Sequence, residues 1–388
     1  MRSMQHFEAS RGWDDEEIQI LDQIRRVAAE VIAPRAAEND EAKSFPWASL
    51  RSLHELGLSG ISIPEAYGGS PVSYRLFLEA VLIVSQACAA TGIIFGTNSA
   101  CVKPILQYGS EAQKRRFLPR MLEGGLAALA ITEPHAGSDA TQMRTSFRRD
   151  GDDVVVNGSK IFITTGDVAD LVILFGKWSG IETPAKAVSA LVVEKGTPGF
   201  EVLRLERKMG THASSTAALG FSDCRVPLDN LLGAPGDGFK ILLSTLNKSR
   251  PSVAAQALGI ATAAFEDARA YACERHQGGR RVLDYQANQF LMADLATELL
   301  TTRMLLDHVG RLVDAGIEDI AVEASMVKVR ASDLAMRMTV EAVQLHGGHG
   351  YCSDHRVERL MREAKITQIW EGTNQIQRQV IGRDLLLP

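Results

Sequence analysis

Three things are missing from the 388-residue chain, and each absence removes a class of function. There is no apolar run of membrane-spanning length, because the richest helical stretches carry Ser, Gln or a charge every few residues, so no membrane span is expected. There is no basic excess. The net charge is −5 with acids and bases interspersed, which lacks the footprint of a nucleic-acid binder. There is no CxxC pair: Cys88, Cys101, Cys224, Cys273 and Cys352 are scattered and read as reduced, mostly structural thiols. The opening MRSMQHFEASRGWDDEE has no signal-peptide apolar core, and its acids argue against a transit peptide, so a cytoplasmic protein is expected. What is present fits a folded globular chain: 45% apolar and 23% charged residues, over a length that calls for two or three packed units.

The apolar pattern changes character twice. In residues 1–125 it is helical. Asp14 with Glu17 three residues on forms a capping-box pattern. Ile18, Leu21, Ile24, Val27 and Val31 then recur at helical spacing until Pro34. A second helix from about Pro46 carries Leu50, Leu53 and Leu56 on one face and stops at Gly57; 61–69 reads as a loop, and helices follow near 72–90, 93–108 and 111–123.

Residues 126–235 show short β-type runs at 154–156, 171–175, 188–193, 200–203 and 217–221, divided by turn signals. One of these signals, Asn157-Gly158, is a strong hairpin dipeptide. Strands grouped without alternating helices predict an antiparallel, barrel-like β domain. Residues 236–388 are helical again, over about 239–275, 284–315, 318–346, 354–364 and 375–385, as in a bundle, and Pro251 should kink or break the first. The expected fold class is therefore multidomain α+β. No period of 20–50 residues recurs, so this is not a solenoid.

Nucleotide and nucleophile signatures of the familiar kinds are missing: no Walker loop, no Gly-x-Ser-x-Gly elbow, no strand-led Gly-x-Gly-x-x-Gly. His346-Gly347-Gly348-His349-Gly350 follows a helix without a third ligand nearby, so it reads as a tight turn and no metal site is expected. Three segments do carry chemistry. The loop from Ile131 to Asp139 combines hydroxyls with the permissive Gly137, which suits a flat polar ring or a phosphate and equally suits a plain linker. Around 157–166, Phe162 and Thr164 fall on one side of a strand, fit for a planar heterocycle or simply for core. Glu371 follows an apolar run and precedes Gly372. Apolar surroundings raise a carboxylate's pKa and glycine admits a ligand closely, a combination suited to removing a weakly acidic C–H proton. Taken alone, the same pattern fits a surface glutamate.

Together these pieces resemble one family. ITEPHAGSD, NGSKIFITTG, KMG followed by VPLDNLLG, GFK, SRPSVAAQALGIA, ERHQGGR with YQANQFLMADLATE, AVQLHGGHGY and VERLMREAKITQIWEGTNQIQ are similar to the acyl-CoA dehydrogenases, in the same order and with comparable spacing. The resemblance runs from about Ile18 to the C-terminus. It implies an N-terminal helical domain, a central β domain, a C-terminal four-helix bundle, non-covalent FAD and a homotetramer.

Carried over by position, Leu129, Ile131, Thr132 and Ser138 would line the flavin, with Phe162, Ile163 and Thr164 on its other side. Arg275, Gln286, Gln344, Gly347 and Gly348 would reach the FAD of a neighbouring subunit, and Thr373, Asn374 and Gln375 the adenosine end. The thioester arm would pass Ser138, Asn247, Arg250 and Gly372. Glu371 takes the place of the catalytic base, since Ser249 and Pro251 beside Arg250 offer no carboxylate. The implied product is a trans-2-enoyl thioester, with an electron-transfer flavoprotein or similar acceptor as partner.

Three departures stand out. Gly278 replaces the aromatic of the family's R-x-x-F-G, Thr165 replaces a frequent Asn, and Asn247 replaces a frequent Asp. The last leaves room for an acyl group on acyl carrier protein rather than CoA. A flavin oxidase or reductase, or a non-catalytic scaffold, are the remaining readings of this fold.

Overall fold

The computed structural model describes residues 2–386. Seven helices open the chain: α1 (Arg2–Ser10), α2 (Asp15–Val27), α3 (Ala33–Ala42), α4 (Trp47–Glu55), α5 (Tyr74–Ala87), α6 (Ala89–Tyr108) and α7 (Glu111–Leu122). The Asp14 carboxylate accepts from the Glu17 N–H at 2.8 Å and the Glu17 carboxylate accepts from the Asp14 N–H at 3.2 Å, so the capping box forms as read. Pro34 does not end the helix. A π turn over Ala28–Ile32 intervenes, and Pro34 falls in the first turn of α3, where a missing N–H is tolerated.

The central strands are β1 (Ala127–Ala130), β2 (Ser146–Asp150), β3 (Asp153–Thr164), β4 (Leu171–Trp178), β5 (Val188–Glu194), β6 (Phe200–Leu205), β7 (Thr216–Pro227) and β8 (Leu231–Leu232), with the short α8 (Pro184–Ala187) before β5. The order β6-β7-β3-β2-β4-β5-β8, with β1 beside β4, is an open path. The expected barrel-like closure is therefore corrected, and so is the purely antiparallel pairing: β1 and β2 both run parallel to β4. Parallel neighbours need a crossover, and β3 itself provides it between β2 and β4.

The Asn157-Gly158 hairpin is also corrected. β3 runs straight through it, while the turn between β2 and β3 lies at Gly151, whose φ is 66°. Asn157 and Asp223 of β7 exchange two hydrogen bonds, at 3.0 and 2.8 Å, and the ladder slips register beside Gly158. A bulge against a distant strand, rather than a local reversal, is what this dipeptide serves.

The last part holds α9 (Gly238–Glu274), the β9 (His276–Gln277) and β10 (Arg280–Arg281) hairpin, α10 (Gln286–Asp314), α11 (Ala321–His346), α12 (Val357–Thr367) and α13 (Asn374–Asp384). Pro251 lies inside α9 without breaking it. From residue 249 to 265 α9 is buried without interruption. It is the axis of the molecule: α5 and α6 pack on it from one side and α11 and α12 from another, so both helical regions share one apolar core. No described helix is long and apolar enough to cross a membrane.

Glu363 of α12 is buried, and burial raises its carboxyl to about 7. A pKa raised on folding gives stability that is complete below the unfolded value and is lost as pH climbs through the folded one. The wild type should accordingly lose on the order of 1–3 kcal/mol between pH 4.5 and 8 through this group. Glu363→Gln should flatten that slope in urea titrations, and an unchanged slope would contradict it.

Candidate active site

Glu371 sits in the link between α12 and α13, where two consecutive residues adopt left-handed backbone: φ is 54° at Glu371 and 89° at Gly372. The latter φ favours glycine at 372, and a Cβ there would stand 2.6 Å from Gln377 Nε2 and displace that side chain from the turn. Left-handed non-glycine residues concentrate at functional sites and are held by their surroundings. Here the hold comes from three elements. From α9, Ser249 Oγ donates to Glu371 Oε2 at 2.7 Å and Arg250 Nε to the Glu371 carbonyl at 3.4 Å. From α11, Lys328 Nζ donates to the Gly372 carbonyl and to Asn374 Oδ1, both at 2.9 Å. From α13, Gln377 Nε2 donates to the carbonyls of Glu371 and Gly372 at 3.1 and 2.9 Å. Both carbonyls are occupied, whereas the Glu371 N–H donates to no acceptor among the described residues.

Burial pushes the Glu371 carboxyl above the usual carboxylate range; the Ser249 hydrogen bond and the charges of Arg250, Lys328 and Lys103 oppose it. The two lysines respond in turn. Burial draws both down to about 7, with Glu371 pulling the other way. A carboxyl raised by burial and faced by Arg250, Lys328 and Lys103 is the electrostatic setting of a general base.

The face offered by the β domain is built on a buried ion pair. Glu133 receives Lys160 Nζ at 2.7 Å and the N–H groups of Arg144 and Thr145 at 2.6 and 3.0 Å, while Lys160 also donates to the Ile131 carbonyl at 2.8 Å. This pins the loop after β1. Leu129 and Ile131 pack into one apolar cluster with Cys101 of α6 and Leu246 of α9; burial pushes the Cys101 thiol up, and Glu371 lies close enough to add to it. On β3 the ladder slips register between Lys160 and Ile163. There Phe162, with φ 59°, turns out of the core and is 60% exposed, while Ile163 stays buried.

The residues present fit a flat, polar-edged cofactor such as FAD. The Phe162 ring is an uncovered aromatic face, and the hydroxyls of Thr132, Ser138 and Thr164 donate to no described residue. Thr165, the departure from Asn, is buried with φ 58° and donates to the Thr164 carbonyl at 2.6 Å.

Other expected positions separate into two groups. Asn247, Arg250, Glu371 and Gly372 come together, Asn247 Oδ1 accepting from Arg250 at 3.1 Å. Thr373 caps α13 and Asn374 is buried against Ser332 and Asp333, so both side chains are engaged within the chain, and Gln375 is exposed. Arg275, Gln286, Gln344, Gly347 and Gly348 are exposed. Arg250 and Arg275 alone stand roughly 37 Å apart along α9 at the helical rise.

At Gly278 the turn between β9 and β10 has positive φ at both central residues, 59° and 79°. Tyr285 Oη donates to the Gln277 carbonyl at 2.8 Å, and Arg280 lies over the Tyr285 ring at 3.9 Å. An added Cβ at 278 would meet that hydroxyl at 2.5 Å. The Tyr285 hydroxyl thus occupies the space that a side chain at 278 would need.

Ser249, Lys103, Lys328, Gln377, Glu133 and Lys160 were not among the expected site residues. Lys328 had a signal: it interrupts a face of α11 made of Ala324, Val327, Ala331 and Ala335, all buried.

A helical–β–helical chain with an aimed, desolvated glutamate and, on its β domain, an exposed aromatic strand has the parts of a flavoprotein dehydrogenase of the CH–CH class. The chain belongs to the acyl-CoA dehydrogenase family: residues 14–125 match its N-terminal domain, 128–224 its middle domain and 236–386 its C-terminal domain. It is similar to the acyl-CoA dehydrogenase of Bacillus subtilis (strain 168), with 42% identity over 96% of this chain and 98% of that one. The solved butyryl-CoA dehydrogenase of Megasphaera elsdenii superposes with a TM-score of 0.94 at 38% identity, covering 97% of this chain and 99% of the other. A glutaryl-CoA dehydrogenase from Mycobacterium smegmatis, solved in complex with FADH2, superposes at 0.92 with 26% identity over 99% and 97%.

Proposed function

We propose that the protein dehydrogenates a saturated acyl-CoA between its α and β carbons, with Glu371 removing the α-proton and a trans-2-enoyl-CoA as product. The observation that carries this reading is the Glu371 turn, where a carboxylate raised in pKa and aimed by Ser249 belongs to a residue whose own N–H is unclaimed. A thioester α-proton is a very weak acid, so a base needs a donor at the thioester carbonyl to stabilise developing enolate charge. The Glu371 N–H provides one, and Gly372 leaves space for the thioester arm to approach.

Leu129, Ile131, Thr132 and Ser138 would hold one side of FAD, and Phe162, Ile163 and Thr164 the other. Bound there, FAD supplies the two-electron acceptor for the hydride leaving the β-carbon. Arg275, Gln286, Gln344, Gly347 and Gly348, all exposed, would serve the FAD of another copy in a homotetramer. With the Thr373 and Asn374 side chains engaged, the adenosine end would meet Gln375 and backbone groups. Electrons would pass on to an electron-transfer flavoprotein or similar acceptor.

Anaerobic addition of short and medium saturated acyl-CoAs should bleach the flavin absorbance of the FAD-loaded protein, and absence of bleaching with all of them overturns the reading. Asn247 favours one second reading, a substrate on acyl carrier protein. Bleaching rates with one acyl group on each carrier decide between the two.

A further inference from the structure

Pro251 leaves a defect in α9 one residue beyond the side chains that hold Glu371. Proline brings no N–H for the Asn247 carbonyl and crowds the preceding turn. The next carbonyl, of Lys248, does not turn to solvent. Tyr74 Oη of α5 donates to it at 2.5 Å and Lys103 Nζ of α6 at 3.1 Å. The Lys103 ammonium also lies 4.9 Å from the centre of the Tyr74 ring and 5.9 Å from that of Phe77. Ser249 and Arg250 follow immediately, one on the Glu371 carboxylate and the other on its carbonyl. Two helices from the N-terminal region thus clamp the turn of α9 that faces the base.

We infer that Tyr74 and Lys103 are positioning residues: by clamping the Lys248 carbonyl beside Pro251 they set the turn that delivers Ser249 and Arg250 to Glu371. The inference rests on the reading of Glu371 as the base. Lys103 acts in a second way, through its charge, because it is one of three cations facing Glu371. The others are Arg250 of α9 and Lys328 of α11; the Cys101 thiol of α6 is also near, and Lys103 itself faces Lys248. A cation there favours the carboxylate, so its removal moves Glu371 titration to higher pH.

The test uses the full-length, FAD-loaded protein with Lys103→Met, Lys103→Arg and Tyr74→Phe, alongside Glu371→Gln. Lys103→Met should lower kcat about tenfold with KM within about twofold, as expected for one lost charge-assisted hydrogen bond felt at the base rather than at the substrate. The acid limb of kcat should move to higher pH. So should the midpoint for carbodiimide labelling of Glu371, read by mass spectrometry independently of turnover.

Lys103→Arg, which keeps the charge and the donor, should restore most of both. Tyr74→Phe should lower kcat a few-fold, on the scale of one neutral hydrogen bond, without moving the acid limb. Wild-type kcat and Glu371 titration in Lys103→Met overturn the inference. A rise in KM alone also overturns it, because it makes Lys103 a substrate contact. If Lys103→Met does not fold, wild-type kcat in Tyr74→Phe overturns it instead. Turnover surviving in Glu371→Gln refutes the base assignment, a result distinct from all of these.

Discussion

Glu371→Gln should keep the protein yellow and lower turnover by at least about 10³-fold, the upper part of the range for a positioned general base. The two side chains have the same length, so the left-handed turn at φ 54° meets no new steric demand. A glutamine oxygen still accepts from Ser249 Oγ, and the backbone carbonyl keeps Arg250 and Gln377. What disappears is the one atom able to take a proton. Anaerobic flavin bleaching measures the whole step. Exchange of the substrate α-proton into deuterated water, followed by NMR, measures proton removal by itself and should vanish with it. Retained exchange would move the base elsewhere. In the wild type, kcat should fall on the acid side at a pH above the ordinary carboxylate range, because burial raises Glu371 and only its ionised form accepts the proton.

Lys328→Met comes second in expected effect. The lysine is fully buried, and its ammonium ties the Gly372 carbonyl to Asn374 Oδ1. Methionine fills much the same space with no donor. Gln377 still serves the Gly372 carbonyl, whereas Asn374 Oδ1 is left with Ser332 Oγ at 3.2 Å, whose single proton lies closer to the Lys328 carbonyl at 2.7 Å, so the stability loss should be about 1–3 kcal/mol. Activity should suffer more. A displacement of about 1 Å at a reacting group costs roughly 10²-fold, and the turn carrying Glu371 loses its anchor to α11. The base also loses a cation, so the acid limb should rise in pH. Urea unfolding, hydrogen exchange across 369–376 and the pH profile of kcat test the three parts. Wild-type exchange together with wild-type kcat would show that Lys328 does not hold the turn.

Much of the site was legible because it is short in sequence. Glu371, Gly372 and the cap at Thr373 are adjacent, and an acid between an apolar run and a glycine is visible in a string of letters. The capping box at Asp14 and Glu17 is local in the same way. Misreadings arose where the partner is remote. Asn157-Gly158 has the composition of a hairpin, yet Asp223 and Thr145 claim it for a bulge. Pro34 and Pro251 look like stops, yet a π turn and the shared core carry the helices through. Phe162 looked as fit for the core as for a ligand face, and a local register slip turns it outward.

The sequence by itself determined the helical–β–helical order, the candidate glutamate and the family, because periodicity, turn chemistry and ordered motifs are written along the chain. Only the tertiary structure decided that the sheet is open and mixed, since pairing direction depends on crossovers that leave no local pattern. It also decided what raises and aims the Glu371 carboxyl. Ser249 and Lys328 lie 122 and 43 residues away in sequence, and Lys103 farther still. Their effect on one carboxyl exists only once α6, α9 and α11 have closed around it, because desolvation and charge act through distance in space.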